Sequence, residues 1–184
     1  MGWIRRLASK TVVLSSVFVG AAFGNTRELK TVAFVDLKRY MGDWYVIANI
    51  PNWIEKGCSH SIESYALRED GEIDNWFVCQ KPDGSELRLT SLCTVEDTKT
   101  NAEWSVRFNL NTFLGKLLLP VRFSYLILDL DAENYSYTVV GHPGKNLLWI
   151  MSREKTLDEK VYQDILLRLK DQGYDLQRIV KVTQ

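Results

Sequence analysis

The sequence lacks features that would assign it to several common classes of protein. Lys plus Arg and Asp plus Glu both number 23 among its 184 residues, so it has no basic surplus of the kind that nucleic-acid binding requires. Only two histidines are present, His60 and His142, and no third ligand clusters with them, which argues against a zinc site. We therefore expect no nucleic-acid partner, no metal and no other cofactor.

A membrane-spanning run is also missing. Residues 12–23 are apolar, but they fall well short of the roughly 20 apolar residues that cross a bilayer. They follow the cationic residues Arg5, Arg6 and Lys10 and end in a small-x-small site at residues 22–24. This arrangement is typical of an export signal that is cleaved, rather than of a permanent anchor.

The expected cleavage leaves one domain. We predict a signal peptide over residues 1–24 and a single domain over residues 25–184, a length that fits one hydrophobic core. The first cysteine is Cys58, so none stands at the predicted new terminus to carry a lipid. We expect an exported protein, periplasmic or secreted, that is not lipid-anchored.

Apolar and aromatic residues in alternation are what the sequence has in quantity. Hydrophobic residues make up 46% of the chain, with six Trp, eight Tyr and seven Phe, which indicates a large core rather than disorder. The alternation, interrupted by short Gly-containing turns, predicts an all-β fold: an eight-stranded antiparallel up-and-down barrel. The predicted strands cover residues 44–50, 61–68, 72–79, 86–95, 103–110, 123–130, 135–140 and 147–152.

One amphipathic helix is predicted after the barrel. Thr156 and Glu159 have the spacing of a capping box, and apolar residues then recur at helical spacing until Gly173. We expect this helix to pack against the outside of the barrel. A last short strand is predicted over residues 179–182.

The predicted topology gives the barrel an open end and a closed end. The two long connections, residues 51–60 and 111–122, fall at the same end of a closed meander, which we expect to be the mouth of a cup. Trp44 and Arg153 fall at the opposite end, on strands that become neighbours when the barrel closes. A cation–π stack between them could plug the floor.

Strand alternation also predicts which side chains line the cup. Trp104, Val106 and Phe108 share one face of their strand, and the same reasoning applies to the other strands. The lining is apolar and aromatic, as a small hydrophobic ligand requires. The predicted ligand-binding residues are Val46, Ala48, Tyr65, Phe77, Trp104, Val106, Phe108, Tyr125 and Ile127. The alternative is a barrel that these side chains fill completely, as in an interaction protein.

Three short segments resemble the motifs of the lipocalin family. The segment that contains Gly42 and Trp44 resembles the Gly-x-Trp motif of the first lipocalin strand. Residues 131–135, which begin with Asp131, resemble the second motif, and residues 148–153, which end with Arg153, resemble the third. The order and spacing of the three motifs agree with the predicted barrel, so the chain is identified as a member of this family.

The similarity is greatest to bacterial lipocalins related to apolipoprotein D, through residues 44–48 and 64–67. It implies an exported carrier of fatty acids or lysophospholipids, often associated with the bacterial outer membrane. Many members of that branch carry a lipid-modified cysteine, which this sequence lacks after its predicted signal. The second motif also departs from the family pattern, with Leu130 and Ala132 in place of Thr and Tyr.

The three cysteines allow a disulfide and an alternative function. Cys58 and Cys79 both fall near the mouth, so theirs is the only pairing we consider, and Cys93 is expected to be a free, buried thiol. Some lipocalins are isomerases with a reactive thiol in the cup, and His60 could approach Cys79 as its base. We expect surface histidines and no enzyme, with the thiol enzyme as the alternative.

An apolar cluster lies on the long connection at the mouth. It consists of Leu114, Leu117, Leu118, Leu119 and Val121, and it is accompanied by the basic residues Lys116 and Arg122. With Trp53 and Ile54 on the other mouth loop, this rim suggests docking on a membrane surface or on a second protomer. The alternative is that it folds inward as a lid, and the protein is expected to be a monomer or a homodimer.

Overall fold

The computed structural model describes residues 28–108 and 122–184. The strands are β1 (Gly42–Asn49), β2 (Ser59–Leu67), β3 (Ile73–Gln80), β4 (Glu86–Val95), β5 (Glu103–Phe108), β6 (Arg122–Leu130), β7 (Tyr137–Gly141), β8 (Leu148–Ser152) and β9 (Val180–Lys181). The helices are α1 (Leu37–Tyr40) and α2 (Glu159–Asp171), with a 3₁₀ turn at Leu176–Arg178.

Strands β1 to β8 form a closed antiparallel barrel. Each strand pairs with the next along the chain, and β1 pairs with both β2 and β8. Tyr45 of β1, for example, lies opposite Ile62 on one side and Ser152 on the other. β9 pairs with the mouth-side end of β1 and lies outside the closed ring. The predicted eight-stranded up-and-down barrel is confirmed.

The strand boundaries follow the alternation closely. Among the described residues, the observed and predicted ends differ by no more than two residues, and the strand predicted over residues 86–95 matches β4 at both ends. Gly71 and Gly84 take positive φ angles of 84° and 82° in the turns before β3 and β4, in agreement with the short Gly-containing turns that were predicted between strands. The last two residues of the strand predicted over residues 103–110 lie outside the described residues.

Helix α2 packs outside the barrel as predicted, but its predicted capping box is wrong. Asp158, not Thr156, is the N-cap, and its carboxylate accepts a hydrogen bond of 3.1 Å from the backbone N–H of Val161. Asp caps a helix as well as Thr does, and Asp158 stands directly before the first helical residue. The helix ends at Asp171, and Gly173 follows with a φ of 84°.

Two apolar cores share the barrel wall. The inner core fills the lower barrel and includes Trp44, Val46, Trp104 and Ile127. The outer core lies between the wall and α2, where Tyr162, Ile165 and Leu169 of the helix meet outward side chains such as Leu126, Leu128 and Ile150. The helix is therefore attached through side chains that do not reach the barrel interior.

The prediction that Ala48 faces the cup is wrong. A β-bulge at Ile47 shifts the register between β1 and β8, so that Val46 lies opposite Met151 and Ala48 lies opposite Ile150. Because the extra residue reverses the alternation, Ala48 turns outward and packs in the outer core. Asn49, the next residue, becomes the inward one.

Candidate functional site

A cavity of about 420 Å³ occupies the mouth half of the barrel. Five of the predicted ligand-binding residues lie on its wall: Tyr65, Phe77, Val106, Phe108 and Tyr125. Side chains from the loop between β1 and β2, including Trp53, and from the turn before β8 surround its opening. The barrel is therefore a cup that opens at the end where the topology predicted the mouth.

The cup stops at an aromatic floor. Tyr40, Trp44, Tyr65, Trp104 and Tyr125 pack ring against ring, with the Trp104 and Tyr125 rings stacked at a centroid distance of 5.0 Å. The Tyr125 hydroxyl is hydrogen-bonded to those of Tyr40 at 2.9 Å and Tyr65 at 2.8 Å. Burial raises the pKa of all three phenols well above the usual value, so they stay neutral.

Three predicted lining residues belong to the packed lower barrel rather than to the cavity wall. Val46, Trp104 and Ile127 are buried in the inner core, below the cavity. They face inward, as the alternation predicted, but Trp104 is itself part of the aromatic floor, and none of the three lines the cavity. The filled-barrel alternative thus describes the lower half of this barrel, and the cup describes the upper half.

The sequence analysis missed several wall residues. Leu89, Phe123 and Met151 are apolar additions to the wall, whereas Glu63 and Asn75 are polar. Glu63 stands two residues before Tyr65, and Asn75 stands two residues before Phe77, so strand alternation puts each on the inward face. Strand alternation thus identifies both residues, but only apolar residues were predicted to line the cup.

Glu63 is held inside the cup by a chain of polar side chains. The Ser91 hydroxyl donates to Oδ1 of Asn75 over 2.6 Å, and Nδ2 of Asn75 donates to Oε2 of Glu63 over 2.6 Å. Burial raises the pKa of Glu63 from 4.5 to about 8, and the nearby negative charge of Glu55 contributes to the rise. This carboxyl is therefore largely protonated at neutral pH while the cup is empty.

A second carboxyl, that of Glu55, lies higher on the wall. Its Oε2 accepts hydrogen bonds from Nδ2 of Asn49 at 3.1 Å and from the indole N–H of Trp149 at 3.0 Å. Oδ1 of Asn52 accepts the backbone N–H of Glu55, which orders this part of the loop. Burial raises the pKa of Glu55, while these hydrogen bonds oppose the rise.

A disulfide fixes the loop that carries Glu55. Cys58 and Cys79 are bonded, with their Cα atoms 5.6 Å apart, as the sequence analysis considered. The backbone N–H of Cys58 donates to the carbonyl of Glu55 at 2.9 Å, and Nζ of Lys81 donates to the carbonyl of Ile54. The loop is thus tied to the end of β3 at the mouth.

The thiol-enzyme alternative has little chemical support in this arrangement. Cys79 carries no free thiol, because it is in the disulfide. Cys93 is free and buried, as predicted, and burial raises the pKa of its thiol to about 12. His60 is exposed on the outside. Within residues 28–108 and 122–184, no group of three or more His, Cys, Asp or Glu side chains could hold a metal ion.

The comparisons with known proteins agree with this geometry. The lipocalin-like domain family matches residues 35–184. The chain belongs to the lipocalin family. Lipocalins are mainly proteins that bind small hydrophobic ligands. The outer membrane lipoprotein Blc of Vibrio cholerae is 28% identical over 176 residues, which cover 94% of this chain and 96% of that protein.

Two further comparisons define the branch and the fold of this lipocalin. Apolipoprotein D of Mus musculus is 27% identical over 155 residues, covering 81% of this chain and 77% of that protein. With the Blc proteins, this match confirms a bacterial type of lipocalin related to apolipoprotein D. Insecticyanin of the tobacco hornworm Manduca sexta has the same fold, with a TM-score of 0.68, 18% identity and 85% coverage of each chain.

The motif residues of this lipocalin surround the closed end. The Arg153 guanidinium lies 3.6 Å from the centroid of the Trp44 ring, so the stack expected at the floor is present. Asp131 accepts the backbone N–H groups of Glu133 and Asn134 and orders the turn between β6 and β7. Gly42 has a φ of 93°, and a Cβ there would stand 3.4 Å from the Arg153 guanidinium.

The described part of the rim carries a large, exposed aromatic side chain. Trp53 is 85% exposed beside the mouth of this lipocalin. The predicted rim residues Leu114, Leu117, Leu118 and Leu119 lie outside the described residues. Among the residues that the structure describes, no helix is long and apolar enough to cross a membrane.

Proposed function

We propose that this lipocalin binds a single-chain lipid, a fatty acid or a lysophospholipid, in its cup and carries or stores it in the cell envelope. The observation that carries the proposal is the cavity of about 420 Å³, open at the mouth and closed by an aromatic floor. That volume lies within the range of about 300 to 1,000 Å³ that small-molecule pockets have.

The wall chemistry supports an acyl chain as the bound group. Phe77, Phe108 and Phe123 present apolar surface to the cavity, and Leu89 and Met151 extend it. Transfer of each methylene from water to such a surface contributes about 0.8 kcal/mol. Affinity should therefore rise roughly fourfold with each added methylene until the chain fills the space above the floor.

Native mass spectrometry with lipid extraction, followed by titration of tryptophan fluorescence on the stripped protein, tests this function. Trp149 and Trp53 stand beside the cavity and report on its occupancy. We expect saturable binding of lysophospholipid or fatty acid at micromolar or lower concentration. A protein that carries no lipid and shows no saturable titration would contradict the proposal.

A pair of variants on β4 tests whether the lipid occupies the cavity. Leu89→Trp places a large ring in the cavity, whereas Leu92→Trp adds the same ring on the other face of the strand. We expect Leu89→Trp to lower lipid affinity at least tenfold and Leu92→Trp to leave it within about twofold. Equal affinities in the two variants would place the ligand elsewhere.

We further propose that the cup binds its ligand without transforming it. The support is chemical: Cys79 is bonded to Cys58, and the buried Cys93 has a pKa of about 12, so neither offers a thiolate at neutral pH. Incubation of the protein with the lipid it binds, followed by mass analysis of that lipid, should return it unchanged.

The proposed location is the cell envelope. The Blc relatives are named outer membrane lipoproteins. We expect cell fractionation to recover the protein with the envelope or outside the cell. Recovery in the cytoplasmic fraction would contradict this part of the proposal.

Contact of the mouth with a membrane surface is part of the same proposal. The exposed Trp53 at the rim is the supporting observation, since indole rings favour the interface of a bilayer. We expect Leu117→Ser with Leu118→Ser to reduce liposome binding severalfold. Unchanged liposome binding would exclude this docking surface.

A further inference from the structure

Two carboxyl groups inside an apolar cup are not explained by a hydrophobic ligand alone. Glu55 and Glu63 both line the cavity, among phenylalanine, leucine and methionine side chains. An acyl chain gains nothing from such groups, and burial of a carboxyl without a matched partner costs free energy. Their presence indicates that the ligand has a polar group for them to recognise.

The hydrogen bonds of Glu63 leave it one oxygen for a ligand. Its Oε2 is taken by Asn75, whereas no side chain or backbone group among the described residues donates to its Oε1. Because the Ser91 hydroxyl donates to Oδ1 of Asn75, the amide nitrogen is directed at Oε2 of Glu63 and at the carbonyl of Ser64. The carboxyl is thereby held on the cavity wall with Oε1 free to interact with a ligand.

No described cation pairs with either carboxyl. The ion pairs of the described residues involve neither Glu55 nor Glu63. Arg178 lines the cavity from the exposed rim, and Lys81 acts on Glu55 from the mouth while its amine donates to a loop carbonyl.

The other ionisable groups around Glu63 are acids. Tyr65 is on the same strand, Tyr40 belongs to the floor, Cys93 is on β4, and Glu55 is on the mouth loop. None of these groups can supply a positive charge to Glu63. The surroundings of this carboxyl are therefore complementary to a cation that enters with the ligand.

We propose that the cup selects a single-chain lipid that bears a protonated amine, with the Glu63 carboxylate as the partner of the amine and the apolar wall around the chain. This inference rests on the proposed carrier function and narrows its ligand class. An ammonium group supplies the charge and the donor that Glu63 lacks, and buried charges are stable when they are paired. A carboxylate head group would instead bring a second negative charge close to Glu55 and would supply no positive charge to pair with an ionised Glu63.

Three probes with the same twelve-carbon chain test the inference: dodecylamine, dodecan-1-ol and dodecanoate. At pH 7.5 we expect the wild-type protein to bind the amine at least tenfold more tightly than the alcohol, and dodecanoate most weakly. In Glu63→Gln, which keeps the shape of the side chain, the advantage of the amine over the alcohol should fall to within about twofold. Glu103→Gln, on an exposed residue of β5, is the matched control and should keep the wild-type order.

A measurement on the wild-type protein makes the test independent of how the variant folds. Because the empty cup holds Glu63 largely protonated at pH 7, pairing with an ammonium releases a proton, and the binding heat then depends on the ionisation enthalpy of the buffer. We expect that dependence for the amine and none for the alcohol.

The outcomes separate this inference from the function on which it rests. Saturable binding of amine and alcohol with equal affinity, or amine binding that releases no proton, would overturn the amine assignment and leave the lipid-carrier function intact. If none of the three probes saturated the cup, the carrier function itself would fail.

Discussion

The floor and the cup are built from the same strands, yet they treat polar groups in different ways. At the floor, Arg153 donates to the carbonyls of Arg39, Tyr40, Met41 and Asp43 while its plane covers Trp44. In the cup, Glu63 has one donor for its two oxygens. The polar groups of the floor are paired within the protein, whereas in the cup one oxygen of Glu63 has no partner among the described residues.

This difference indicates that the floor contributes mainly to stability and the cup mainly to ligand recognition. A guanidinium that donates to four carbonyls and contacts an aromatic ring holds α1 and β1 to the end of β8. The carboxyl of Glu63 instead has one oxygen to which no described residue donates, and a ligand can interact with it. Changes at the floor should therefore alter folding, and changes in the cup should alter binding.

Removal of the Arg153 guanidinium from the floor should have the largest effect on stability. Arg153→Ala deletes four hydrogen bonds and a cation–π contact, so we expect the free energy of unfolding to fall by about 4 kcal/mol. Urea titration measures the loss, and Arg88→Ala on the exposed face of β4 is the control. A loss of lipid affinity with unchanged stability would reverse the roles that we assign to the two ends.

The disulfide tests whether the mouth also contributes to stability. Cys58→Ser with Cys79→Ser opens a link between residues 21 apart, which should cost about 3 kcal/mol of unfolding free energy through the unfolded chain. Because the same link holds the loop of Glu55, we also expect a severalfold loss of lipid affinity. Urea and fluorescence titrations measure the two effects, and an unchanged affinity would show that the loop is ordered without the disulfide.

The protonation of Glu63 should make the stability of the protein depend on pH. Its pKa is about 8 in the folded protein and near 4.5 in the unfolded chain, so the folded state holds more protons between these values. Stability should then fall as pH rises from 5 to 8, by on the order of 3 kcal/mol from this group. Glu63→Gln should lack that part of the decline, which urea titrations at several pH values would reveal; identical pH profiles would contradict it.

The last expected effect concerns ligand affinity in the cup alone. Because an amine pairs with ionised Glu63, dodecylamine affinity should rise up to tenfold per pH unit between pH 6 and 8. Dodecan-1-ol should show no such trend, and Glu63→Gln should remove it. Fluorescence titrations at constant ionic strength measure both, and parallel curves for amine and alcohol would contradict the pairing.

Strand alternation predicted most of the fold because the barrel repeats one physical rule eight times. The rule failed at Ala48, where a bulge adds Ile47 to β1 without a signal in the residue types. It was applied too narrowly at Glu63 and Asn75, whose inward position follows from their spacing to Tyr65 and Phe77. A charged residue on an apolar face looks like an error in the pattern, although here it marks the candidate site.

Other differences have local causes. Whether side chains fill the barrel or leave a cavity depends on how much of the interior the rings of Tyr40 and Trp104 occupy. The spacing of residues along a strand does not give that information. The observed N-cap of α2 is Asp158 rather than the predicted Thr156. Both residue types are good N-caps, and Asp158 is the one that directly precedes the first helical residue. These outcomes depend on packing distances in three dimensions, so the pattern alone could not decide them.

The bulge at Ile47 also divides β1 into a part that faces the barrel interior and a part that packs against α2. On one side of it, β1 contributes Val46 to the interior, and on the other side it contributes Ala48, followed by Ile50 just after the strand, to the surface that holds α2. The anchoring of the helix and the shape of the cup are thereby encoded at different positions of a single strand. Ligand preference could diverge, by selection or by design, while the attachment of the helix is inherited unchanged.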